Sequence, residues 1–121
     1  MRTFTQVNES RKDIKFGSHN VNAELVYVCE NEKQLGCLTL LCNEKAATIY
    51  AVEILNRYRG KGYGKMLMEN AIEICKTKNV EELRLSTEIT NEASNKLYKN
   101  LGFEVENTDE DFNYYVLKLN K

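Results

Sequence analysis

Residues 52 to 65 read Val-Glu-Ile-Leu-Asn-Arg-Tyr-Arg-Gly-Lys-Gly-Tyr-Gly-Lys. An apolar, strand-like run ends at Leu55, a basic glycine-rich turn follows, and an amphipathic helical pattern starts from Gly62. Gly60, Gly62 and Gly64 alternate with Arg59, Lys61 and Lys65 among and beside them. A strand, a glycine turn and a helix N-terminus together hold anions well, because backbone N–H groups converge on one point. Glycine permits the positive φ and the close approach that such a turn needs. The helix dipole and the basic side chains add to the attraction. Three alternating glycines at a helix start cost roughly 0.5–1 kcal/mol each relative to alanine. An ordinary helix entry has no reason to carry that cost, so the turn reads as a cradle for a phosphate-bearing ligand.

Working outward, the residues before the turn read as strands. Glu24 to Cys29, Leu35 to Cys42 and Ala46 to Leu55 are rich in β-branched, leucine and aromatic residues. Polar turns at 30–33 and 43–45 separate them. Residues 1 to 22 are polar and weakly patterned, with a short strand at Asp13–Phe16 and a turn at 17–20. His19, the sole histidine, falls in that turn with no partner for chemistry in sight and reads as a solvated loop residue.

After the turn, Leu67, Ala71, Ile74 and Cys75 form an apolar stripe on a helix running from Gly62 to Lys78. Glu81 to Ser86 follows as a strand. A strand, a crossover helix and a strand imply parallel pairing between 46–55 and 82–87. Asn91 to Leu101 is a second helix, stopped by Gly102. Its Ala93, Leu97 and Leu101 should face the sheet, with Ser94 and Tyr98 on a neighbouring face. Strands at 103–106 and 112–119 flank an acidic turn at 107–111. The order β-β-β-α-β-α-β-β predicts an α+β single domain over residues 1–121, built on a mixed, mostly antiparallel sheet.

Bulk properties exclude several classes. With 121 residues, 42% hydrophobic, 29% charged and a net charge of −1, the chain has an ordinary globular composition. It shows no basic face for nucleic acid. No apolar run is long enough to span a bilayer, and the first ten residues carry no signal-peptide core, which points to the cytoplasm and to no membrane partner. Cys29, Cys37, Cys42 and Cys75 form no Cys-x-x-Cys pair, so no metal site is expected and the thiols read as small buried hydrophobes.

Spacing decides what the cradle holds. A Walker A loop needs Gly-x-x-x-x-Gly-Lys-Ser/Thr, but Gly60 stands one residue too close to Gly64-Lys65, and Met66 takes the place of the hydroxyl. A dinucleotide fingerprint needs Gly-x-Gly-x-x-Gly after the first strand of a parallel sheet. Here the glycines run Gly-x-Gly-x-Gly after antiparallel strands.

Arg59-Gly-Lys-Gly62-Tyr-Gly64 matches Arg/Gln-x-x-Gly-x-Gly/Ala, and residues 90–103, from Thr90 through Asn91, Ser94 and Tyr98 to Leu101-Gly-Phe103, match Asn-x-x-Ala/Ser-x-x-x-Tyr followed by Leu-Gly-Phe. In both segments the chain resembles the GCN5-related N-acetyltransferase (GNAT) family, over residues 46 to 105. The resemblance implies acetyl-CoA as the acetyl donor and an amine-bearing acceptor. It implies that Val52, Glu53 and Ile54 line the pantetheine arm where two strands splay apart. Arg59, Gly60, Lys61, Gly62, Tyr63, Gly64 and Lys65 would hold the pyrophosphate, largely through backbone N–H groups. Asn91 would contact the cofactor, with Ser94 and Asn95 as additional contacts, and Tyr98 would lie near the sulfur.

The chemistry so implied is direct transfer with no acyl-enzyme on any cysteine. An alkyl amine, with a pKa near ~10.4, must lose a proton before it attacks. An N–H near Ile54 would stabilise the oxyanion, and Tyr98 would protonate the leaving thiolate. Glu53 is the first candidate base and Glu88 the second, since the family has no single base position. The family's usual helices after the first strand have no counterpart in residues 14 to 24, so the N-terminal helices are reduced or absent. The acceptor site is therefore expected to be open, or completed in a homodimer. Asp109-Glu-Asp111 is either an attractor for a cationic amine or a solvated hairpin turn. A CoA-binding sensor without turnover stands as the alternative to an enzyme, and a nucleotide hydrolase as a distant third.

Overall fold

A computed structural model describes residues 4–16, 19–30, 33–43, 45–54, 60 and 62–119. Strands β1 (Phe4–Phe16), β2 (His19–Glu30), β3 (Lys33–Asn43) and β4 (Ala46–Ile54) come first. Then follow α1 (Tyr63–Thr77), β5 (Glu82–Glu88), α2 (Glu92–Asn100), β6 (Glu104–Thr108) and β7 (Phe112–Lys118). The expected order holds from β2 to β7, and β1 stands before it as one further strand.

Of that strand only the end, Asp13–Phe16, was expected, because residues 4–16 lack sustained alternation. β1 is an edge strand that pairs antiparallel with β2 from Phe4↔Glu30 to Phe16↔His19, so its backbone is satisfied by a neighbour and not by its own pattern. His19 and Asn20, expected in a turn, are the first residues of β2. Asn107 and Thr108, expected in the acidic turn, belong to β6, which carries a register shift beside Asn107.

The seven strands form one sheet in the order β1-β2-β3-β4-β5-β7-β6. All neighbours are antiparallel except β4 and β5, which run parallel across the α1 crossover, as the strand–helix–strand pattern predicts. Residues directly opposite one another share a face of the sheet. The pairs Cys42↔Ala47, Ala47↔Leu83 and Leu85↔Tyr115 therefore mark one face. Both helices of the described residues sit on it. The Cys75 thiol of α1 feels that of Cys42, and the Tyr98 ring of α2 meets Tyr115 edge-on at 5.8 Å.

The core lies between this face and the helices. Leu38, Leu40, Ile49, Leu83 and Tyr115 meet Leu67, Met68, Ala71 and Cys75. A fully buried Leu contributes about 1.5–3 kcal/mol, so the stripe on α1 is enough to hold the crossover in place. Ile74 lies at the edge of that stripe and is half-buried.

On α2 the expected face is rotated. Ala93 is exposed, while Leu97 and Leu101 are half-buried against the core, and the residues turned most fully inward are Asn95 and Tyr98. Polar side chains won over Ala93 because β5 and β7 offer them hydrogen-bond partners. Among the described residues, no helix is long and apolar enough to cross a membrane.

Candidate functional site

The parallel ladder between β4 and β5 is short. It runs Ala46↔Glu82, Ala47↔Leu83, Thr48↔Arg84 and then stops among the described residues, although β4 continues to Ile54 and β5 to Glu88. Beyond Thr48 the strands part. β5 stays paired with β7 up to Glu88↔Phe112, while β4 stays with β3 up to Gly36↔Ile54. A bulge helps to turn β4 away. Between Tyr50↔Thr39 and Glu53↔Cys37, β4 carries one residue more than β3. The backbone edge at Val52, Glu53 and Ile54 thus faces a gap in the sheet, and unpaired edge groups need a partner.

The start of α1 stands after the end of β4. Gly60 and Gly62 have φ of 76° and 89°. Both angles lie in the left-handed region that side chains disfavour. A Cβ built on either would meet nothing within 4 Å, so each opens onto free space. Gly62 is the N-cap of α1 and makes no side-chain cap, and the first turn holds no acidic residue. Its Lys65 is exposed. Uncapped N–H groups, a favourable dipole and a basic neighbour suit an anion, and an added side chain would enter the space that anion needs.

Gly64 has a different role. A Cβ there would lie 3.6 Å from Leu97 of α2, in ordinary contact, so α2 borders the first turn of α1 at this point. Tyr63 is buried in the core, which leaves its backbone for a ligand. Arg59 and Lys61 lie outside the described residues.

The start of α2 is closed by side chains. Asn91 accepts the Ser94 N–H on its Oδ1 at 3.1 Å and caps the helix. Asn95 is spent wholly within the protein. Its Nδ2 donates to the carbonyls of Glu88, Ile89 and Asn91, and its Oδ1 accepts from Asn113 Nδ2 and the Tyr115 hydroxyl. It joins the end of β5, the start of α2 and β7 at one point.

One turn further on, Tyr98 is 5% exposed, with its ring against Phe103 and Tyr115. Burial raises its phenol above the ordinary range, and a hydrogen bond with Ser94 opposes part of that rise. A phenol so placed keeps its proton and can give it to a stronger base.

Glu53 and Glu88 stand near the ends of the two parting strands, and both are exposed. Glu53 pairs across from Cys37, whose thiol is raised first by burial and second by that carboxylate. Cys75 is pushed up to about 12 by burial and by Cys42, against a smaller pull from Lys78. Cys37, Cys42 and Cys75 are in no disulfide, and the raised thiols of Cys37 and Cys75 are poor nucleophiles.

In the acidic turn, Asp109 is occupied. It accepts from the N–H of Asp111 and Phe112 and from the Tyr114 hydroxyl, and these bonds hold its carboxyl below the usual range. Two shallow hollows, of about 400 and 370 Å³, lie elsewhere. One is on the flank of α2 around Lys96 and Lys99, the other around Lys45, Lys76 and Glu81. Neither is lined by the glycine turn or the gap.

Sequence reasoning placed Gly62 and Asn91 at the helix starts, where the structure has them, and put Tyr98 beside the sheet-facing side of α2, where the structure turns it inward. It missed the depth of Asn95 and the contribution of Asn113 and Tyr115. The one signal for these was an alternating β7 with polar and aromatic residues at inward positions.

Known proteins resemble this chain in sequence and in fold. The family model described as Acetyltransferase (GNAT) family matches residues 2–103. The chain therefore belongs to the GNAT acetyltransferase family. Among curated relatives, the [ribosomal protein bS18]-alanine N-acetyltransferase of Haemophilus influenzae is 34% identical over 102 residues, covering 82% of this chain and 64% of that protein. N-alpha-acetyltransferase 30 of Schizosaccharomyces pombe is 34% identical over 55 residues, 46% of this chain and 37% of that one. The matched stretches span from 18% to 64% of the length of the curated relatives.

Among solved structures, PaiA N-acetyltransferase from Thermoplasma acidophilum in complex with coenzyme A superposes with a TM-score of 0.75 at 25% identity, over 80% of this chain and 61% of that one. IAA acetyltransferase from Bacillus cereus reaches 0.76 at 16% identity, over 95% of this chain and 100% of that one, and shares the fold.

Proposed function

We propose that the chain is an acetyl-CoA-dependent N-acetyltransferase acting on a primary amine. The observation that carries this reading is the gap between β4 and β5, which opens at the same end of the sheet as the uncapped, glycine-lined start of α1. An anion cradle beside an exposed strand edge suits a ligand with phosphates at one end and an amide-bearing arm behind them. Membership of the family and the coenzyme A held by the Thermoplasma protein support the same ligand.

Acetyl-CoA, when bound, supplies an acetyl group on a thioester. The N–H groups of the first turn of α1, from Tyr63 to Lys65, would hold its pyrophosphate, with Gly60 and Gly62 leaving the space. The backbone edge of Val52, Glu53 and Ile54 would hold the arm and offer the N–H that a developing oxyanion needs. Asn91 at the start of α2 would border the same ligand. Tyr98 holds a proton in a buried site and would give it to the sulfur as the carbon–sulfur bond breaks. Glu53 is the first candidate to take the amine's proton, directly or through water, and Glu88 the second. No cysteine takes part.

The relatives' names include an alanine of a ribosomal protein as acceptor. For this chain the acceptor class is a primary amine, on a small molecule or a peptide. Thiol release from acetyl-CoA, followed over a panel of small amines, amino sugars, polyamines and peptides, tests the reading. Release with at least one acceptor, reduced in Tyr98→Phe, is the expected result.

A CoA-binding sensor without turnover is the second reading. It is favoured by one observation, that no helix of the described residues walls the side of the sheet opposite α1 and α2. Binding of acetyl-CoA without release for any acceptor would select it.

A further inference from the structure

The turn between β5 and α2 carries one lip of the gap. From Leu85 to Glu88, β5 has no ladder partner towards β4 among the described residues. The chain then reverses in a tight turn from Glu88 to Asn91, closed by the Asn91 N–H on the Glu88 carbonyl at 3.0 Å. Asn91, which caps α2, stands at the end of that turn. Whatever holds the turn therefore holds both the lip and Asn91.

One side chain holds it. The Asn95 Nδ2 donates to the carbonyls of Asn91 at 2.8 Å, Glu88 at 3.0 Å and Ile89 at 3.3 Å, so two amide hydrogens are shared among three carbonyls. Its Oδ1 accepts from the Asn113 Nδ2 at 3.0 Å and from the Tyr115 hydroxyl. Asn113 is itself oriented, because its Oδ1 accepts from the Thr108 hydroxyl at 2.8 Å. The donors point one way, from Thr108 on β6 through Asn113 on β7 to Asn95 and on to the turn. Bonds in such a row polarise one another. A second tie runs beside the first, from the Ile89 N–H to the Asp111 carbonyl at 2.9 Å. The β6–β7 hairpin thus braces the turn at two points.

Asn95 is 9% exposed. A leucine would fill the space under α2 with no partner to find, whereas a buried amide is costly until its groups are bonded. What the amide adds is direction, since it holds three carbonyls in fixed places.

We infer that Asn95, with Asn113 and Tyr115 behind it, is a positioning residue for acetyl-CoA, setting the 88–91 turn and with it the place of Asn91 and of the β5 lip. The inference rests on the acetyltransferase reading. It replaces the expected direct contact of Asn95 with the cofactor, because both ends of that amide are used within the protein. It also couples the ligand to the hairpin. A ligand against Asn91 steadies the turn, and the row of amides carries that order to residues 108–113, on the far side of β5 from the gap.

The test uses the full chain and acetyl-CoA. Asn113→Ala combined with Tyr115→Phe strips the Asn95 Oδ1 of both donors and keeps a ring in the core. The calorimetric Kd for acetyl-CoA should rise about fivefold or more in this double variant and in Asn95→Leu, the scale of a lost hydrogen bond or two. Where Asn95→Leu fails to fold, the double variant decides. Ile74→Ala, at the edge of the α1 stripe, should lose stability and keep the wild-type Kd, which separates positioning from softening of the whole fold. Amide hydrogen exchange at 108–113 should slow when acetyl-CoA is added to the wild-type chain, and the double variant should lose that protection.

An unchanged Kd in the double variant would overturn the inference, and so would an equal loss of affinity in Ile74→Ala. Hairpin amides indifferent to acetyl-CoA in the wild-type chain would overturn it as well. Each of these leaves the acetyltransferase reading standing, whereas absence of acetyl-CoA binding by the wild-type chain would strike that reading itself.

Discussion

Helices α1 and α2 begin in opposite ways. The start of α2 is finished: Asn91 caps it, Glu92 sits in the first turn where the dipole favours an acid, and Asn95 bolts that turn to β5 and β7. The start of α1 has none of this. Gly62 offers no side chain, no acid follows it, and the two glycines at positive φ face open space. A helix end without a cap costs stability, so the contrast sets a helix start that serves the fold against one proposed to serve a ligand.

Four measurements would break or sharpen that contrast, from the largest effect to the smallest. Asn95→Leu removes the bolt and leaves the Tyr115 hydroxyl, Asn113 and several carbonyls without it. Denaturant unfolding should show a loss of about 3 kcal/mol, the cost of stranding more than one buried polar group. A loss below about 1 kcal/mol would mean that α2 is held by Leu97 and Leu101 and not by its polar face.

Tyr98 packs its ring on Tyr115, whose hydroxyl donates to that bolt. Tyr98→Phe should lower kcat roughly 10²-fold with acetyl-CoA affinity kept, the scale of a lost general acid. Because burial raises its pKa, the alkaline limb of kcat should fall above pH ~10 and not below it. The same group favours the fold in its neutral form. Its contribution is present below pH ~10 and is lost as pH rises through the higher native value. A kcat limb near neutrality that survives in Tyr98→Phe would assign the proton to another group.

Gly62→Ala tests the open start directly. Space exists for the methyl, so the fold should lose only the about 1–2 kcal/mol of a left-handed alanine. Affinity for acetyl-CoA should fall with it, and full affinity in calorimetry would remove Gly62 from the cradle. The smallest effect is expected at the other helix. Asn91→Ala should cost about 1 kcal/mol of thermal or denaturant stability, the worth of an N-cap. A loss of acetyl-CoA affinity larger than that of Gly62→Ala would reverse the contrast, making the start of α2 the main ligand contact.

Much of the fold could be read from the residues. α1 was expected from Gly62 to Lys78 and has those residues as its caps, because a regular apolar stripe and a glycine start are local signals. The parallel step at β4 and β5 followed from a crossover helix between two strands. β1 was read only at its end, Asp13–Phe16, since an edge strand takes its order from its partner and needs little apolar alternation of its own. The inward face of α2 was misplaced from Ala93 to Asn95 because a hydrophobic count ignores hydrogen bonds offered by strands distant in sequence.

The residues alone carried the family. The spacing of Gly60, Gly62 and Gly64, with Asn91, Tyr98 and Phe103 at their own distance, rejected two other phosphate loops and matched one, because a backbone cradle is a local object that sequence can encode. Tertiary structure decided what no local pattern encodes. It parted β4 from β5 after Thr48, turned Asn95 into the joint between three elements, and put both described helices on one side of the sheet. These depend on which strands neighbour each other and on the packing between them, and such contacts join residues far apart in the chain.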